Sequence, residues 1–470
     1  MKQVILLIDF GSTYTKVTAV DVTQQEVMAT EKSPTTISTN VTEGLNNALD
    51  NLGKIIGKDA FAKASKVASS SAAGGLRMDA IGFVPQLTLE AARMAVLNAG
   101  AKLINCYSNK LLTEDIESIG QDQIDILLLV GGTDGGNEDV LVHNAKMLSN
   151  SDLSIPIVVA GNRNCKEIVL DIFSKNNKNA IVTDNVLPEV NVLNIEPARN
   201  VIRNVFMKHI VHAKGMDEVK SYIDNVLLPT PAAILNGAKL LAEGTENELG
   251  LGDLIIIDIG GATTDVHSVS EGLPSRPNIV LKGIPEPRAK RTVEGDLGVR
   301  FNAKSILESV GLKKFSEDLG LSPDIVTDWI EKITNETETV PQTLDEKRID
   351  HHLAVNAVRI AVDRHVGRLK SHYTPMGEMF TLYGKDLTEV RTIIGTGGAL
   401  IHSQDPSSIF QAACYSSKQP NLLKPKNARF LLDSNYILYA GGLLSEQWPD
   451  LALQIMKKQL LEVKKLEGES

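Results

Sequence analysis

LIIIDIGGATTDVHSV, residues 254–269, reads as a strand, a turn and a second strand. Leu254 to Ile257 is an apolar run short enough for a buried strand, and Asp258 arrives where that strand ends. The chain then turns on Gly260 and Gly261. Lacking a Cβ, they let the backbone approach an anion at a distance that side chains forbid. Thr263, Thr264 and Asp265 open the second run, where hydroxyls suit phosphate oxygens and a carboxylate suits a metal-bound water. A carboxylate beside phosphate requires a cation between them, and Mg2+, which keeps several of its waters, is the usual choice.

The same plan stands at the start of the chain. Residues 5–22, ILLIDFGSTYTKVTAVDV, give an apolar strand, Asp9, a turn at Gly11, hydroxyls at Ser12, Thr13 and Thr15, and an alternating second strand. Aligning Asp9 with Asp258 puts Gly11 on Gly260, Thr15 on Thr264 and Lys16 on Asp265. A repeat at about half the chain length predicts two similar domains, 1–245 and 246–470. A third piece, RTIIGTGGALIH at 391–402, follows a short apolar run with Gly395, Thr396, Gly397 and Gly398. These read as a turn opening a helix, whose first N–H groups meet a phosphate or lie under a nucleoside.

In this order and spacing the three motifs resemble the phosphate-1, phosphate-2 and adenosine motifs of the actin, sugar kinase and heat-shock chaperone ATPase superfamily. Over nearly the whole chain the resemblance is to the GlmL (MutL-type) accessory proteins of adenosylcobalamin-dependent glutamate mutase. It is carried by LLIDFGSTYTKV at the start, LLLVGGTDGGN at 127–137, LIIIDIGGATTDVHS at 254–268, EGDLGVR at 294–300 and IIGTGGALIH at 393–402. The resemblance implies an α/β fold of two actin-like, ribonuclease H-like ATPase domains around a nucleotide cleft, with ATP and Mg2+ as cofactors. Asp9 and Asp258 would orient Mg2+ through water. Gly11, Ser12, Thr13, Thr15, Gly260, Gly261, Thr263, Thr264 and the 395–398 turn would hold the nucleotide. Asp265 either positions the attacking water or binds a metal-bound water. Lys16 either neutralises phosphate charge or makes an outward salt bridge, according to strand register. The implied function is ATP-driven release of damaged cobalamin from a mutase, whose subunits are the expected partners. A sugar-kinase-type enzyme and a filament-forming actin relative are the competing readings, and fold alone does not separate them.

With 470 residues, 43% of them hydrophobic, the chain has the composition of a globular protein with two or three domains. A formal charge of −10, with no block of Lys and Arg, argues against nucleic acid and against an anionic membrane surface. No basic leader or long apolar run precedes the first strand, so a cytoplasmic address is expected. Cys106, Cys165 and Cys414 are odd in number and far apart, which speaks against a disulfide framework or zinc ribbon and for apolar packing. The superfamily's iron–sulfur activators need closely placed cysteines, and this sequence lacks them.

Residues 85–190 depart from the minimal superfamily plan. Helices over 88–99, 110–119, 138–148 and 163–175 alternate with apolar runs at 102–107, 124–130, 155–160 and 180–183, which predicts an inserted parallel sheet covered on both faces. Its loop Gly131 to Asn137 sits at a strand's carboxyl end, where open parallel sheets bind ligands. It is either a tight βα turn or a recognition loop, with Thr133, Asp134 and Gly135 as candidate partner contacts. VASSSAAGGLRM, 67–78, reads as a strand ending in Gly74 and Gly75, and helices are expected through 315–371. The helix over 229–243 and a later one bearing Gly441 and Gly442 each suit close packing against another helix, and the resemblance implies that they lie beside each other. The pairs His209/His212 and His351/His352 have no further ligands in reach and are not read as metal sites.

Overall fold

A strand buried at every position, Val4–Phe10, is what the first half assembles on. The computed structural model describes residues 3–11, 14–34, 41–71, 76–213, 225–276, 278–375 and 377–464, without side chains at 41–43, 207–213, 225–227 and 374. Two compact units emerge: Met1–Gly237 with Gly283–Pro287 and Tyr439–Ile455, and Ala238–Lys282 with Arg288–Leu438 and Met456–Ser470.

The first unit contains β1 (Val4–Phe10), β2 (Tyr14–Asp21), β3 (Glu26–Pro34), β4 (Ser65–Ser70), β5 (Arg77–Gly82), β6 (Lys102–Ser108), β7 (Ile126–Leu129), β8 (Ile157–Val159), β9 (Ala180–Val182) and β10 (Asn225–Pro229). One sheet has the order β10-β4-β1-β2-β3. There β1 is antiparallel to β2 and parallel to β4. Helix Val41–Ile56 buries Leu45, Leu49 and Leu52, the face expected from their spacing.

The other sheet of this unit, β6-β5-β7-β8-β9, is parallel throughout. Ala80, Leu128 and Val158 point into a core shared with Leu6 and Ile8 of β1. Ile81, Leu127, Leu129, Ile157 and Val159 point into a second core with Leu141, Val169 and Phe173. Two buried faces explain why these strands read as unbroken apolar runs.

The strand expected from 67 to the glycines Gly74 and Gly75 is β4, which stops at Ser70; β5, from Arg77, lies in a different sheet and has no counterpart in the sequence reading. The run of small residues between them has no periodicity that would show the chain leaving one sheet for the next. Gly74 and Gly75 lie outside the described residues. The parallel sheet therefore begins at Arg77, and its first helix, Glu90–Asn98, is preceded by a π-helical turn, Pro85–Leu89. Gly82 is needed there, because a Cβ would come within 2.6 Å of the Leu89 backbone.

In the second unit the strands are β11 (Leu254–Ile259), β12 (Thr264–Val269), β13 (Ile279–Leu281), β14 (Ala289–Glu294), β15 (Arg368–Thr374), β16 (Gly377–Tyr383), β17 (Thr392–Thr396), β18 (Arg429–Leu432) and β19 (Leu461–Val463). The main sheet runs β14-β12-β11-β17-β18-β19. Here β11 is antiparallel to β12 and parallel to β17, so the order around β11 repeats the order around β1. The internal duplication thus extends from the motif to the sheet.

Helices Ala303–Val310, Leu312–Leu319, Pro323–Asn335 and Leu344–His365 cover this sheet. The last begins at a capping box in which Thr343 and Glu346 bond each other's backbone N–H. It stops at His365, so the expectation of helix through 371 fails at its end. Gly367 lies so close to Lys385 that a Cβ would meet its carbonyl oxygen at 2.5 Å. From Arg368 the chain enters β15, which forms a small sheet of order β13-β16-β15. Half-exposed polar strands leave no apolar alternation to read.

Candidate functional site

Each unit turns at its motif in the same way. Gly11 N–H donates to the Tyr14 carbonyl at 3.1 Å, and Gly260 N–H donates to the Thr263 carbonyl at 2.9 Å. Strand register then places Asp9 opposite Lys16 and Asp258 opposite Asp265. These are the equivalences read from the sequence repeat. A Cβ on Gly11 would stand 2.6 Å from the Tyr14 carbonyl oxygen, so the turn closes only around glycine.

In the first unit Asp9 is 2% exposed. Its Oδ1 accepts hydrogen bonds from Ser69 Oγ at 3.0 Å and Thr230 Oγ1 at 2.5 Å, while Lys16 Nζ lies 3.8 Å from Oδ2. Ser69 comes from the end of β4, and Thr230 starts helix Thr230–Glu243. The carboxylate is therefore fixed by two hydroxyls that sequence reading did not single out. Lys16 turns toward Asp9, and its side chain is 20% exposed. Thr15 is buried, and Ser12 and Thr13 lie outside the described residues.

In the second unit Asp258 is half-buried, and Asp265 is 7% exposed. Arg291 grips Asp265 Oδ1 through Nε at 2.8 Å and Nη2 at 2.6 Å, and Thr263 Oγ1 donates to Oδ2 at 3.0 Å. Both oxygens being engaged, the carboxylate has one orientation. Thr264 is buried and donates its hydroxyl to the Leu297 carbonyl at 2.7 Å, which ties it to the strand's far side. Two residues along β12 from Asp265, His267 is fully buried, and neither ring nitrogen has a hydrogen-bond partner. Burial, with help from the Arg291 charge, pushes its pKa down to about 3, so it is a neutral core residue.

The EGDLGVR segment braces this turn from beneath. Val299 N–H donates to the Gly260 carbonyl, and the N–H groups of Arg300 and Phe301 both donate to the Gly261 carbonyl at 2.9 Å. Asn302 Nδ2 bonds the carbonyls of Ala262 and Gly295, at 2.8 and 2.9 Å. With their carbonyls held below, the turn's residues are rigid on the side away from the brace. Glu294 and Asp296 share Arg364, at 2.6 and 2.8 Å. Burial raises the Glu294 carboxyl, whereas the hydrogen bond from Arg364 holds Asp296 below the ordinary carboxylate range.

The third motif differs in detail from its expectation. Gly395 and Thr396 belong to β17, Gly397 makes the turn at φ 100°, and the helix that follows, Gly398–Ile401, is a single turn. Gly397 has no alternative, since a Cβ would lie 2.3 Å from the Ile259 carbonyl oxygen. Thr396 Oγ1 donates to buried Asp433 at 3.3 Å, and Asp433 in turn accepts from the N–H groups of Ile437 and Leu438. Asp433 was not among the expected site residues, although an Asp at the end of an apolar strand repeats the signal that marks Asp9 and Asp258.

The 131–137 loop is tied inward. Asp134 Oδ1 accepts from Arg163 N–H and Asn185 Nδ2, each at 2.9 Å, and Asp134 N–H donates to the Pro188 carbonyl. Gly132 and Gly135 adopt φ of 68° and 73°, and the Gly135 N–H donates to Asn162 Oδ1. Thr133 is half-buried and Gly135 exposed. His351 bonds Ser403 and Ser408, and His352 packs edge-on against Phe315; the side chains of His209 and His212 lie outside the described residues. Among the described residues no helix is long and apolar enough to cross a membrane.

The family model described as "MutL protein" matches residues 5–460. "Protein MutL" of Clostridium tetanomorphum is 48% identical over 460 residues, covering 97% of this chain and 99% of that protein. Among solved structures, xylulose kinase from Bifidobacterium adolescentis aligns with 98% of this chain and 96% of its own, at 10% identity and a TM-score of 0.34. Gluconate kinase from Lactobacillus acidophilus aligns with 99% and 93%, at 11% identity and a TM-score of 0.33.

Proposed function

This chain belongs to the MutL protein family, and from that membership and the geometry above we propose that it is an ATP-dependent accessory factor of an adenosylcobalamin-dependent mutase, promoting exchange of damaged cobalamin. The observation that carries the ATP reading is the duplicated turn, with Asp9 opposite Lys16 in one unit and Asp258 opposite Asp265 in the other. In this reading the turns bind the phosphates of a nucleotide. Gly11, Ser12, Thr13 and Thr15 serve its phosphates from the first unit; Gly260, Gly261 and Thr263 serve them from the second, where Thr264 holds the turn to Leu297. Gly395 to Gly398 supply the nucleoside side.

The residues fit a Mg2+ ion held through its waters. Such an ion takes one or two carboxylates plus phosphate oxygens rather than a protein cage. Asp9 and Asp258 would hold it there, and its charge would neutralise the phosphates. Asp9 is pinned by Ser69 and Thr230, so its position does not depend on the ion. Lys16 adds a positive charge beside it. Asp265, oriented by Arg291 and Thr263, would use its remaining lone pairs to position the attacking water or a metal-bound water.

Calorimetry of the purified chain with ATP, with and without Mg2+, tests the reading. Saturable binding that needs Mg2+ and is lost in Asp258→Asn, at unchanged melting temperature, is the expected result. Absence of heat at millimolar nucleotide would reject it. Phosphorylation of a small-molecule acceptor, with no effect on a mutase, would favour a kinase instead.

A further inference from the structure

Away from the phosphate-type turns, the first unit holds a cavity of about 240 Å³ beyond the carboxyl ends of β7, β8 and β9. Leu141, Val159, Val169 and Val182 line its apolar part, and burial pushes the Cys165 thiol beside them up to about 11, so this wall carries no charge. Arg163, Lys166, Asp134 and Asp184 supply its charged part. Among the described residues, the side chains of Arg163, Lys166 and Asp184 make no ion pair or hydrogen bond, and all three are exposed.

We infer that this cavity is a binding site for a small zwitterion: an amino acid, or a molecule with the same paired ammonium and carboxylate. Location is the first reason. Open parallel sheets bind ligands beyond the carboxyl ends of their strands, and the cavity lies beyond the ends of β8 and β9 in the parallel sheet β6-β5-β7-β8-β9, whose order reverses between β5 and β7. Construction is the second. An apolar wall with a few fixed polar groups is how small-molecule sites are built. The loops that carry the polar groups are fixed: Asn162 ties Gly135 and Asn164 through Oδ1, and Asn185 ties Gly132 and Asp134 through Nδ2.

Charge selects the ligand. Two bases and two acids balance, so a simple anion would meet Arg163 and Lys166 but also face two carboxylates. A simple cation meets the reverse conflict. A molecule carrying both charges leaves neither side unmatched, whereas a like-charge juxtaposition opposes binding. Arg163 offers a planar fork suited to a carboxylate, and Asp184 an acceptor for an ammonium.

The experiment titrates the full chain with the common L-amino acids singly, and with acetate and methylammonium as the two half-ligands, by calorimetry and thermal shift. At least one amino acid should bind saturably, and at least about tenfold more tightly than either half-ligand. Arg163→Met and Asp184→Asn should each weaken it at least about tenfold while leaving Mg-ATP binding unchanged. Both side chains are exposed and without partners among the described residues, so the variants should fold. The assignment is overturned if no amino acid binds at about 10 mM, if acetate binds as tightly as the amino acids, or if binding survives both substitutions.

Discussion

At the scale of single residues, Arg291 and His267 separate structure from chemistry around Asp265. Arg291 is 3% exposed in its side chain and is paired to Asp265, itself 10% exposed. Arg291→Met leaves a buried carboxylate without its partner, which costs roughly 3–5 kcal/mol. Chemical denaturation should show that loss, and Asp265→Asn should show one of similar size, because it leaves the buried Arg291 guanidinium without its carboxylate. His267 gives a pH signature. The unfolded chain protonates it below about pH 6.5, whereas the folded chain resists down to about 3. The unfolded state therefore binds more protons in that window, and stability falls as pH drops through it. His267→Leu removes this loss. Relative to the parent it should gain on the order of 2–3 kcal/mol between pH 7 and pH 4.5, read from denaturation midpoints at the two values.

Among the elements, the inserted parallel sheet carries a buried acid in the middle of a strand. Asp79 of β5 is 0% exposed, its Oδ1 accepts from the Asn105 N–H at 2.9 Å, and its other oxygen has no partner. Burial raises its carboxyl to about 7, and Asp122 beside it acts in the same direction. Here the unfolded state loses its proton first, so stability falls as pH rises from about 4 to about 7 and then levels. Asp79→Asn should gain on the parent through that window and keep its lead at pH 8, as melting temperatures at pH 4.5, 6 and 8 would show.

A helix pair in the first unit makes a second prediction at this scale. A Cβ on Gly442 would fall 1.8 Å from the Ala233 carbonyl oxygen, so Gly442→Ala must push apart helices Thr230–Glu243 and Ile437–Leu444. Overpacking of this kind costs about 1–3 kcal/mol, a loss of several degrees in melting temperature. Small residues on both helices made close packing legible in the sequence, while their pairing with each other came from the superfamily resemblance; apolar runs and glycine turns made both hairpins legible. Signals of another kind were missing. The brace from Val299, Arg300 and Phe301 is built from backbone N–H groups, which every residue type possesses. Ser69 and Thr230 reach Asp9 from segments 60 and 221 residues away, a proximity that no local pattern encodes. Strands β15 and β16 are too exposed to alternate, and the third motif's turn yields one helical turn where its glycines suggested more.

For the molecule as a whole, the proposed function requires that nucleotide state alter the affinity for a mutase. A ligand shifts an equilibrium only by its difference in affinity for the two states. The γ-phosphate, which ADP lacks, would supply such a difference in the proposed function. Moving a population from mostly one state to mostly the other takes roughly 5.5 kcal/mol of preference, which several charge-assisted hydrogen bonds can supply. The inserted sheet belongs to the same unit as Asp9 and shares its core through Ala80, Leu128 and Val158, so it moves with that turn. Its 131–137 loop is the proposed contact with the mutase. Binding of the mutase should therefore differ among ATP, ADP and nucleotide-free protein, measured by interferometry with immobilised mutase. Asp134→Ala removes the acceptor that holds Arg163 N–H and Asn185, and should weaken mutase binding in every nucleotide state while ATP binding persists. Equal mutase affinity in all three states would rule out a remodelling cycle. Undiminished binding by the Asp134 variant would leave the cycle standing and move the contact elsewhere on the unit.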